Sequence, residues 1–293
     1  MSVAEITVGV PSYCGAWDLL PWTLQAIRDR SGIIVPYDLV VLDDSGRVAH
    51  QAESSSVAKR YGARWLCHSR NLGITAAWNT LVRLSSTRMV ALLNDDMIVT
   101  PGWHEALTYF LRENPGAGCA GLGFYFITAA DVMTLLGSPT ARVTPRHHET
   151  KVYLPESDYA HRGTEQPGCV MCPPGCAFGF TREKYDLVGG INPITRSFYN
   201  ESIFGTELAK AGYPSYVLPY PVLWHIWSAT FQRSPELMVD DPLARDRETY
   251  KAHFGGDFDY TDPLYMRPFR GDSNRREVRW LGPDGPKSAM ICA

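Results

Sequence analysis

Residues 89–99 decide the fold predicted for this chain: Met89-Val90-Ala91-Leu92-Leu93 runs into Asn94-Asp95-Asp96 and returns to Met97-Ile98-Val99. An apolar run of this kind, followed by turn-forming residues, predicts a strand that is buried on both faces of a sheet. Carboxylates at the end of such a strand are costly to remove from water unless a cation or good donors meet them. A hard divalent ion that holds a phosphorylated ligand would satisfy them with oxygen ligands.

A helix-capping turn is the alternative interpretation of this acidic cluster. Thr100-Pro101 is typical of a helix start, with Thr as the cap and Pro at the first position. Capping requires only Thr100, so it leaves Asp95 and Asp96 unexplained. We therefore favour the metal site.

The composition is that of an ordinary globular protein. Of the 293 residues, 45% are hydrophobic and 20% charged, and a net charge of -3 gives no general attraction for nucleic acid. No apolar stretch approaches the roughly 18–20 residues that span a bilayer. The N-terminus carries Glu5 and lacks the basic region of a secretion signal. Seven cysteines, an odd number, suggest reduced thiols, so we expect a cytoplasmic protein without a transmembrane segment.

Strand and helix patterns alternate over the first 127 residues. Strand patterns at 6–10, 39–42, 64–67 and 89–93 are each followed by a helical pattern, at 19–30, 48–61, 76–84 and 103–112, and a further strand is predicted at 121–127. This alternation predicts an α/β fold with a mainly parallel sheet that helices cover on both faces. Residues 137–170 have the composition of a long functional loop. Beyond residue 234 the chain is charged and Pro-rich, with one helix predicted at 243–253.

Polar residues follow each of the first four predicted strands. They are Pro11-Ser12-Tyr13, Asp43-Asp44-Ser45, Arg70-Asn71 and Asn94-Asp95-Asp96. In open α/β sheets, ligands bind outside the carboxyl ends of the strands. No G-x-G-x-x-G or P-loop follows the first strand, which argues against dinucleotide or Walker-type binding. A metal on the carboxylates after the fourth strand is another way to hold phosphates.

Short motifs occur in a specific order over roughly residues 5–231. They are Val10-Pro11-Ser12-Tyr13; Val40-Val41-Leu42-Asp43-Asp44-Ser45; Asn71-Leu72-Gly73 with Asn79; Leu92-Leu93-Asn94-Asp95-Asp96 followed by Pro101-Gly102-Trp103; Gly175-Cys176-Ala177-Phe178; Val188-Gly189-Gly190; Asn200-Glu201 before Gly212-Tyr213; and His225 with Ser228. In these motifs the chain resembles glycosyltransferase family 2, which has the GT-A nucleotide-diphospho-sugar-binding fold. The resemblance implies a Rossmann-like catalytic domain at 1–233, divided into a nucleotide-sugar half (1–127) and an acceptor half (128–233), with a C-terminal extension at 234–293.

The resemblance also implies roles at the diphosphate. Asn94-Asp95-Asp96 stands where the family carries its Asp-x-Asp motif, so Asp96 would ligate Mn²⁺ or Mg²⁺ bridging the donor diphosphate. His225 matches a position that often supplies a second metal ligand. Asn94 departs from the motif, so it would contact a hydroxyl of the ribose or sugar rather than the metal. Asp95 and Gly175 are further donor-binding candidates.

The nucleobase side of the donor has its own candidates. Asp43 would accept a hydrogen bond from the ring N–H of the base, which suits uracil or thymine and favours a UDP-sugar. Pro11, Tyr13 and Asn71 would line the base and ribose pocket. Trp224 and Trp227 flank His225, and one of them would stack on a sugar ring; Trp227 is our candidate.

Glu201 stands where family members place a catalytic carboxylate. A base there would take the proton of the acceptor hydroxyl as that hydroxyl attacks the anomeric carbon, which gives inversion. The alternative is helix capping, because Asn200 is a good N-cap and a carboxylate in the first turn favours the helix dipole. Both roles can hold together.

These observations predict a metal-dependent inverting glycosyltransferase whose acceptor is a glycan, lipid-linked glycan, protein or modified nucleic-acid base. One alternative is a nucleotidyltransferase, although Pro11-Ser12-Tyr13-Cys14-Gly15 is not the Gly-rich basic loop that such enzymes use. Another is a non-catalytic nucleotide- or sugar-binding protein of the same fold. A separate zinc or iron–sulfur site at Cys169, Cys172 and Cys176 is a further hypothesis, with buried free thiols as its alternative.

Overall fold

A nine-stranded sheet is the centre of the fold in the computed structural model, which describes residues 3–15, 17–32, 34–137, 166–170, 172–226, 229–255 and 275–292. Its strands are β1 (Ile6–Ser12), β2 (Tyr37–Asp43), β3 (Arg64–Cys67), β4 (Met89–Leu93), β5 (Met97–Ile98), β6 (Cys119–Ile127), β7 (Gly168–Val170), β8 (Ala177–Thr181) and β9 (Ser215–Ile226). β10 (Arg275–Gly282) and β11 (Gly285–Cys292) form a separate antiparallel hairpin.

Helices follow most of these strands. They are α1 (Leu19–Arg30), α2 (Val48–Arg60), α3 (Ile74–Arg83), α4 (Trp103–Glu113), α5 (Ala129–Gly137), α6 (Arg182–Leu187), α7 (Asn200–Lys210), α8 (Ala229–Arg233) and α9 (Pro242–Phe254), with a short 3₁₀ turn at Pro235–Met238. The predicted boundaries agree within about two residues for the first four helices. No helix in the described ranges combines the length and apolar character needed to cross a bilayer.

The sheet contains both parallel and antiparallel strand pairs. Its order is β3-β2-β1-β4-β8-β6-β9-β5, with β7 also paired to β9. β1, β2, β3 and β4 pair in parallel, as do β6 and β9, whereas β8 runs antiparallel to both β4 and β6, and β5 and β7 run antiparallel to β9. The predicted parallel arrangement therefore holds for the first half. The second half differs because β8 inserts in reverse between β4 and β6, and the sequence pattern contains no signal for that pairing.

Helices cover the sheet on both faces, as predicted. Alternate residues of β4 enter two different hydrophobic clusters: Met89, Ala91 and Leu93 pack on one face, and Val90 and Leu92 pack on the other. All five side chains of this strand are buried. The uninterrupted apolar run in the sequence is explained by this two-sided burial.

The predicted variable loop at 137–170 falls mostly outside the described residues, which include only its end at α5 and at residues 166–170. The predicted extension at 234–293 contributes to the domain core. Val278 and Trp280 of β10 and Ile291 of β11 belong to the larger hydrophobic cluster. Asn114, after α4, bonds Arg279 in both directions, through Nδ2 to the carbonyl at 2.7 Å and through Oδ1 from the N–H at 3.0 Å. The sequence pattern predicts the helix in this segment, which the structure has as α9, but it does not predict the hairpin.

Candidate active site

A cavity of about 730 Å³ opens at the carboxyl ends of β1 and β4. Nine of the eleven predicted site residues line it: Pro11, Tyr13, Asn71, Asn94, Asp95, Asp96, Gly175, Glu201 and His225. Asp43 does not line it, and Trp227 lies outside the described residues. The structure thus gathers, in one place, residues that are spread over more than two hundred positions of the sequence.

The turn between β4 and β5 holds the acidic cluster. The Thr23 hydroxyl of α1 donates to the Asp95 carbonyl at 2.8 Å and accepts from the Met97 N–H at 3.1 Å. These two bonds hold the turn against α1. Asp95 and Asp96 are only 6% and 5% exposed. The Asp95 Oδ2 and Asp96 Oδ1 atoms have no hydrogen-bond partner within the described residues. One oxygen of each carboxylate is therefore buried without a hydrogen-bond donor from the described residues.

The burial of these two neighbouring carboxylates changes the pKa of Asp95. Burial, together with the charge of the adjacent Asp96, raises the pKa of Asp95 to about 7. Room for its carboxylate depends on Gly15, since a Cβ at that position would come within 2.4 Å of Asp95 Oδ2. A cation beside the pair would remove the repulsion that raises this pKa.

His225 meets Asp96 across the β5–β9 pair. His225 Nε2 lies 3.1 Å from Asp96 Oδ1, without the alignment of a hydrogen bond. No group of three or more His, Cys, Asp or Glu side chains within the described ranges forms a complete metal cage. Asp96 and His225 fit the other common arrangement, in which one or two side chains and the phosphates of a substrate share the ion.

The cysteines near the cavity are buried thiols. Cys169, Cys172 and Cys176 are buried, and Cys172 and Cys176 line the cavity. Burial raises the pKa of the Cys176 thiol well above its ordinary value, which favours the protonated form. His161, the residue that could complete a zinc site with them, lies outside the described residues.

Asp43 and Asp44 point to different surroundings. Asp43 is fully buried, and its two oxygens accept four hydrogen bonds, from the Ser45 N–H and hydroxyl at 2.8 and 2.5 Å, His50 Nδ1 at 2.5 Å and the Ser54 hydroxyl at 2.6 Å. A carboxylate has about four acceptor positions. Those of Asp43 are all filled by the protein, so it has no acceptor position left for a nucleobase.

Asp44 lines the cavity in place of Asp43. Its Oδ1 accepts from His68 Nδ1 at 2.7 Å and from the Leu72 N–H at 2.9 Å, and its Oδ2 accepts from the Gly73 N–H at 2.8 Å. One acceptor position of Oδ2 is left by these bonds. The sequence carried a signal for Asp44, which is adjacent to Asp43 in the same motif, but only the strand geometry separates the two.

Glu201 lies in the first turn of α7 and lines the same cavity as the acidic turn. Its carboxyl group packs against Gly175, where a Cβ would come within 2.7 Å of the Glu201 Cδ. Asn200 is not the N-cap that its sequence position predicts. Tyr199 occupies the cap position with a left-handed backbone, and the Asn200 Oδ1 accepts from the hydroxyls of Thr75 and Thr195, both at 2.7 Å. Asn200 therefore ties α7 to α3 rather than capping its own helix.

The loop before α7 also reaches the cavity, which the sequence analysis did not predict. Arg196, Ser197 and Phe198 line the wall near Glu201. No motif in the sequence marks them, because their position depends on how α7 packs against the C-terminal part of the chain.

The family model for glycosyl transferase family 2 matches residues 7–185 of this chain. Among solved structures, the chain is similar to GalNAc-T7 with UDP, GalNAc and Mn²⁺, at 13% identity and a TM-score of 0.60, over 76% of this chain and 43% of that one. It is also similar to the mannosyltransferase PcManGT of Pyrobaculum calidifontis in complex with GDP-Man and Mn²⁺, at 16% identity and a TM-score of 0.55, over 90% of this chain and 68% of that one. Both likenesses show the GT-A fold.

A curated relative extends well beyond the matched region. An uncharacterized protein, y4gI of Sinorhizobium fredii (strain NBRC 101917 / NGR234), is 26% identical over 262 residues, which cover 85% of this chain and 27% of that protein. The present chain thus spans about a quarter of the length of that relative.

Proposed function

This chain belongs to glycosyl transferase family 2, and we propose that it transfers a sugar from a nucleoside-diphosphate sugar to an acceptor hydroxyl, with inversion at the anomeric carbon. One observation carries the proposal. Asp95 and Asp96 line the cavity that also contains Glu201, and each has a buried carboxylate oxygen without a hydrogen-bond partner among the described residues. Buried charges without donors are costly, so a cation-bound anionic ligand is the partner that this site is suited to hold.

Mn²⁺ or Mg²⁺ would be held by Asp96 and His225, with donor phosphates as the other ligands. Once bound, the ion would stabilise the negative charge that develops on the departing nucleoside diphosphate. Asn94 would then contact a hydroxyl of the ribose or sugar, since its Oδ1 is buried and has no hydrogen-bond partner in the described protein. Asp95 would contribute to the negative charge that attracts the ion.

Asp44 replaces Asp43 in our assignment of the nucleobase contact. Asp44 lines the cavity together with Pro11, Tyr13 and Asn71, and its Oδ2 accepts a hydrogen bond from the Gly73 N–H, which leaves room for a further donor. Such an acceptor suits the ring N–H of uracil, and we therefore propose a UDP-sugar as the donor. The guanidinium of Arg47 lies over the Tyr13 ring, 5.4 Å from the ring centroid, and this cation–π contact helps to position Tyr13.

Glu201 is the proposed general base. It would take the proton of the acceptor hydroxyl as that oxygen attacks the anomeric carbon, and the N-terminus of α7 favours its negative charge. The acceptor hydroxyl would belong to a glycan, a lipid-linked glycan, a protein or a modified nucleic-acid base. Gly175 supports this role by leaving room for the carboxyl group.

A thermal-shift screen of UDP-, TDP- and GDP-sugars with Mn²⁺ or with EDTA tests the proposal. A ligand at 100 times its dissociation constant adds about 2.7 kcal/mol of stability. We expect a UDP-sugar with Mn²⁺ to raise the melting temperature by several degrees and EDTA to abolish the shift. If no sugar nucleotide stabilises the protein in the presence of metal, the proposal fails.

Two further assays separate the alternatives. Slow release of free sugar from the stabilising donor supports a transferase, because a binding module would leave the donor intact. Formation of a sugar nucleotide from a sugar phosphate and a nucleoside triphosphate would support a nucleotidyltransferase instead.

A further inference from the structure

Asp246 of α9 lies beneath the loop that lines the acceptor side of the cavity. Its Oδ2 accepts hydrogen bonds from three successive backbone N–H groups, at 3.3 Å from Arg196, 2.8 Å from Ser197 and 3.0 Å from Phe198. Its Oδ1 accepts from the Arg245 Nε at 3.0 Å. The Asp246 residue is only 2% exposed. A carboxylate this deeply buried is stabilised by such donors. The hydrogen bonds also hold the backbone of residues 196–198 in place.

The same loop continues directly into the helix that carries Glu201. Tyr199, the next residue, is fully buried and has a φ of +63°, a backbone conformation that non-glycine residues adopt only when their surroundings impose it. Its ring lies 5.4 Å from that of Tyr250, one turn beyond Asp246 on α9. The Tyr250 hydroxyl is 2.8 Å from the Thr206 hydroxyl of α7. Helix α9 therefore contacts both the loop and the helix that follows it.

We propose that Asp246 is a positioning residue for Glu201. By holding the N–H groups of residues 196–198, it sets the entry angle of α7 and so the place of the Glu201 carboxylate relative to the acidic turn of Asp95 and Asp96. The inference rests on the proposed role of Glu201 as the base. It also gives the C-terminal segment a part in the site, although none of the predicted donor ligands belongs to α9.

The test is Asp246→Ala in the full chain, assayed by hydrolysis of the donor sugar with Mn²⁺. We expect kcat to fall about tenfold or more, because misplacement of a catalytic group by about 1 Å can cost about 100-fold. The donor KM should stay within about twofold, since the donor contacts lie elsewhere. Asp246→Asn keeps an acceptor oxygen and should restore part of the rate. It also supplies a folded variant if the alanine protein does not fold.

Asp241→Ala is the matched control. Asp241 caps the same helix by accepting from the Ala244 N–H at 3.1 Å, so its loss weakens α9 without removing the bonds to residues 196–198. We expect its kcat to stay near that of the wild type. If Asp241→Ala reduces kcat as much as Asp246→Ala, or if Asp246→Ala raises the donor KM instead, the positioning role is overturned.

Amide hydrogen exchange separates this inference from the proposed function. The N–H groups of residues 196–198 should exchange faster in Asp246→Ala than in either the wild type or Asp241→Ala. If the wild type hydrolyses no sugar nucleotide, the proposed function is wrong. The exchange result still tests whether Asp246 holds the N–H groups of residues 196–198. If exchange at 196–198 is unchanged in Asp246→Ala, the inference fails whatever the catalytic result.

Discussion

His225 Nε2 lies 3.1 Å from Asp96 Oδ1, although the two residues are far apart in the sequence. The backbone brings them together. Met97 pairs with His225 between β5 and β9, and the Ile226 N–H donates to the Asp96 carbonyl at 3.0 Å. The short strand β5 thus returns the chain after the acidic turn to the edge where β9 ends.

Asp96→Ala should abolish the metal dependence of nucleotide binding, because it removes the proposed carboxylate ligand. We expect the affinity for UDP with Mn²⁺, measured by calorimetry, to fall by about 100-fold or more. Asp38→Ala is the control. Asp38 lies near the start of β2 and forms an exposed ion pair with Arg64 at 2.6 Å. An unchanged Mn²⁺-stimulated affinity in Asp96→Ala would remove Asp96 from the metal site.

Glu201→Gln should keep donor binding and lose turnover. The amide cannot take the acceptor proton, and general-base catalysis contributes about 100- to 10,000-fold. Donor hydrolysis and UDP affinity are measured in parallel. Glu207→Gln, two turns along the same helix, is the matched control, because Glu207 accepts from Asn192 at 3.1 Å and does not line the cavity. Near-normal turnover in Glu201→Gln would exclude it as the base.

Gly175→Ala should act through Glu201. The new Cβ would stand 2.7 Å from the Glu201 Cδ and 2.8 Å from its Oε2, so the carboxyl group must move. We expect a lower rate of donor hydrolysis at nearly unchanged UDP affinity. Gly137→Ala is the control, because a Cβ there would meet no atom of the described residues within 4 Å. Equal rates in the two variants would show that Glu201 needs no such space.

Asp43→Asn should destabilise the protein in a pH-dependent way. Burial alone would raise the pKa of Asp43, but hydrogen bonds from His50, Ser45 and Ser54 outweigh it and hold the pKa below its ordinary value. The charged form therefore stabilises the fold above the unfolded pKa of about 3.9, and that contribution is lost as the pH falls through the lower folded pKa. We expect a loss of about 3 kcal/mol at pH 7 by urea unfolding.

The pH series supplies the check on Asp43. The difference in free energy of unfolding between wild type and Asp43→Asn should shrink as the pH falls below about 4. A difference that stays constant or grows below about pH 4 would contradict the assignment.

Trp280→Ala should show that the C-terminal hairpin is part of the core. Trp280 is 3% exposed and belongs to the larger hydrophobic cluster, so its truncation should cost about 3–5 kcal/mol. Met290→Ala on the facing strand is the control, because Met290 is 55% exposed. Similar urea midpoints for the two variants would mean that the hairpin adds little to the stability of the domain.

The sequence by itself determined the first half of the sheet and brought together most of the candidate site residues that line the cavity. Local signals suffice there: the apolar run of β4 requires burial on both faces, and the polar residues that follow parallel strands must meet at one edge. That is why Asn94, Asp95 and Asp96 could be placed with Pro11, Tyr13 and Asn71 before any contact was known. Glu201 and His225 were reached only through the family resemblance.

Only the tertiary structure decided which neighbouring residue faces which environment. Asp43 ends β2 and accepts four hydrogen bonds from the protein, whereas Asp44, the first residue after the strand, lines the cavity. One motif cannot reveal this difference. Contacts between distant segments cannot be predicted from the sequence for a related reason. Local patterns record only the preferences of each segment, whereas these contacts depend on packing between elements. Examples are the reversed strand β8, the Asn200 bonds to Thr75 and Thr195, and the Asp246 bonds to the N–H groups of residues 196–198.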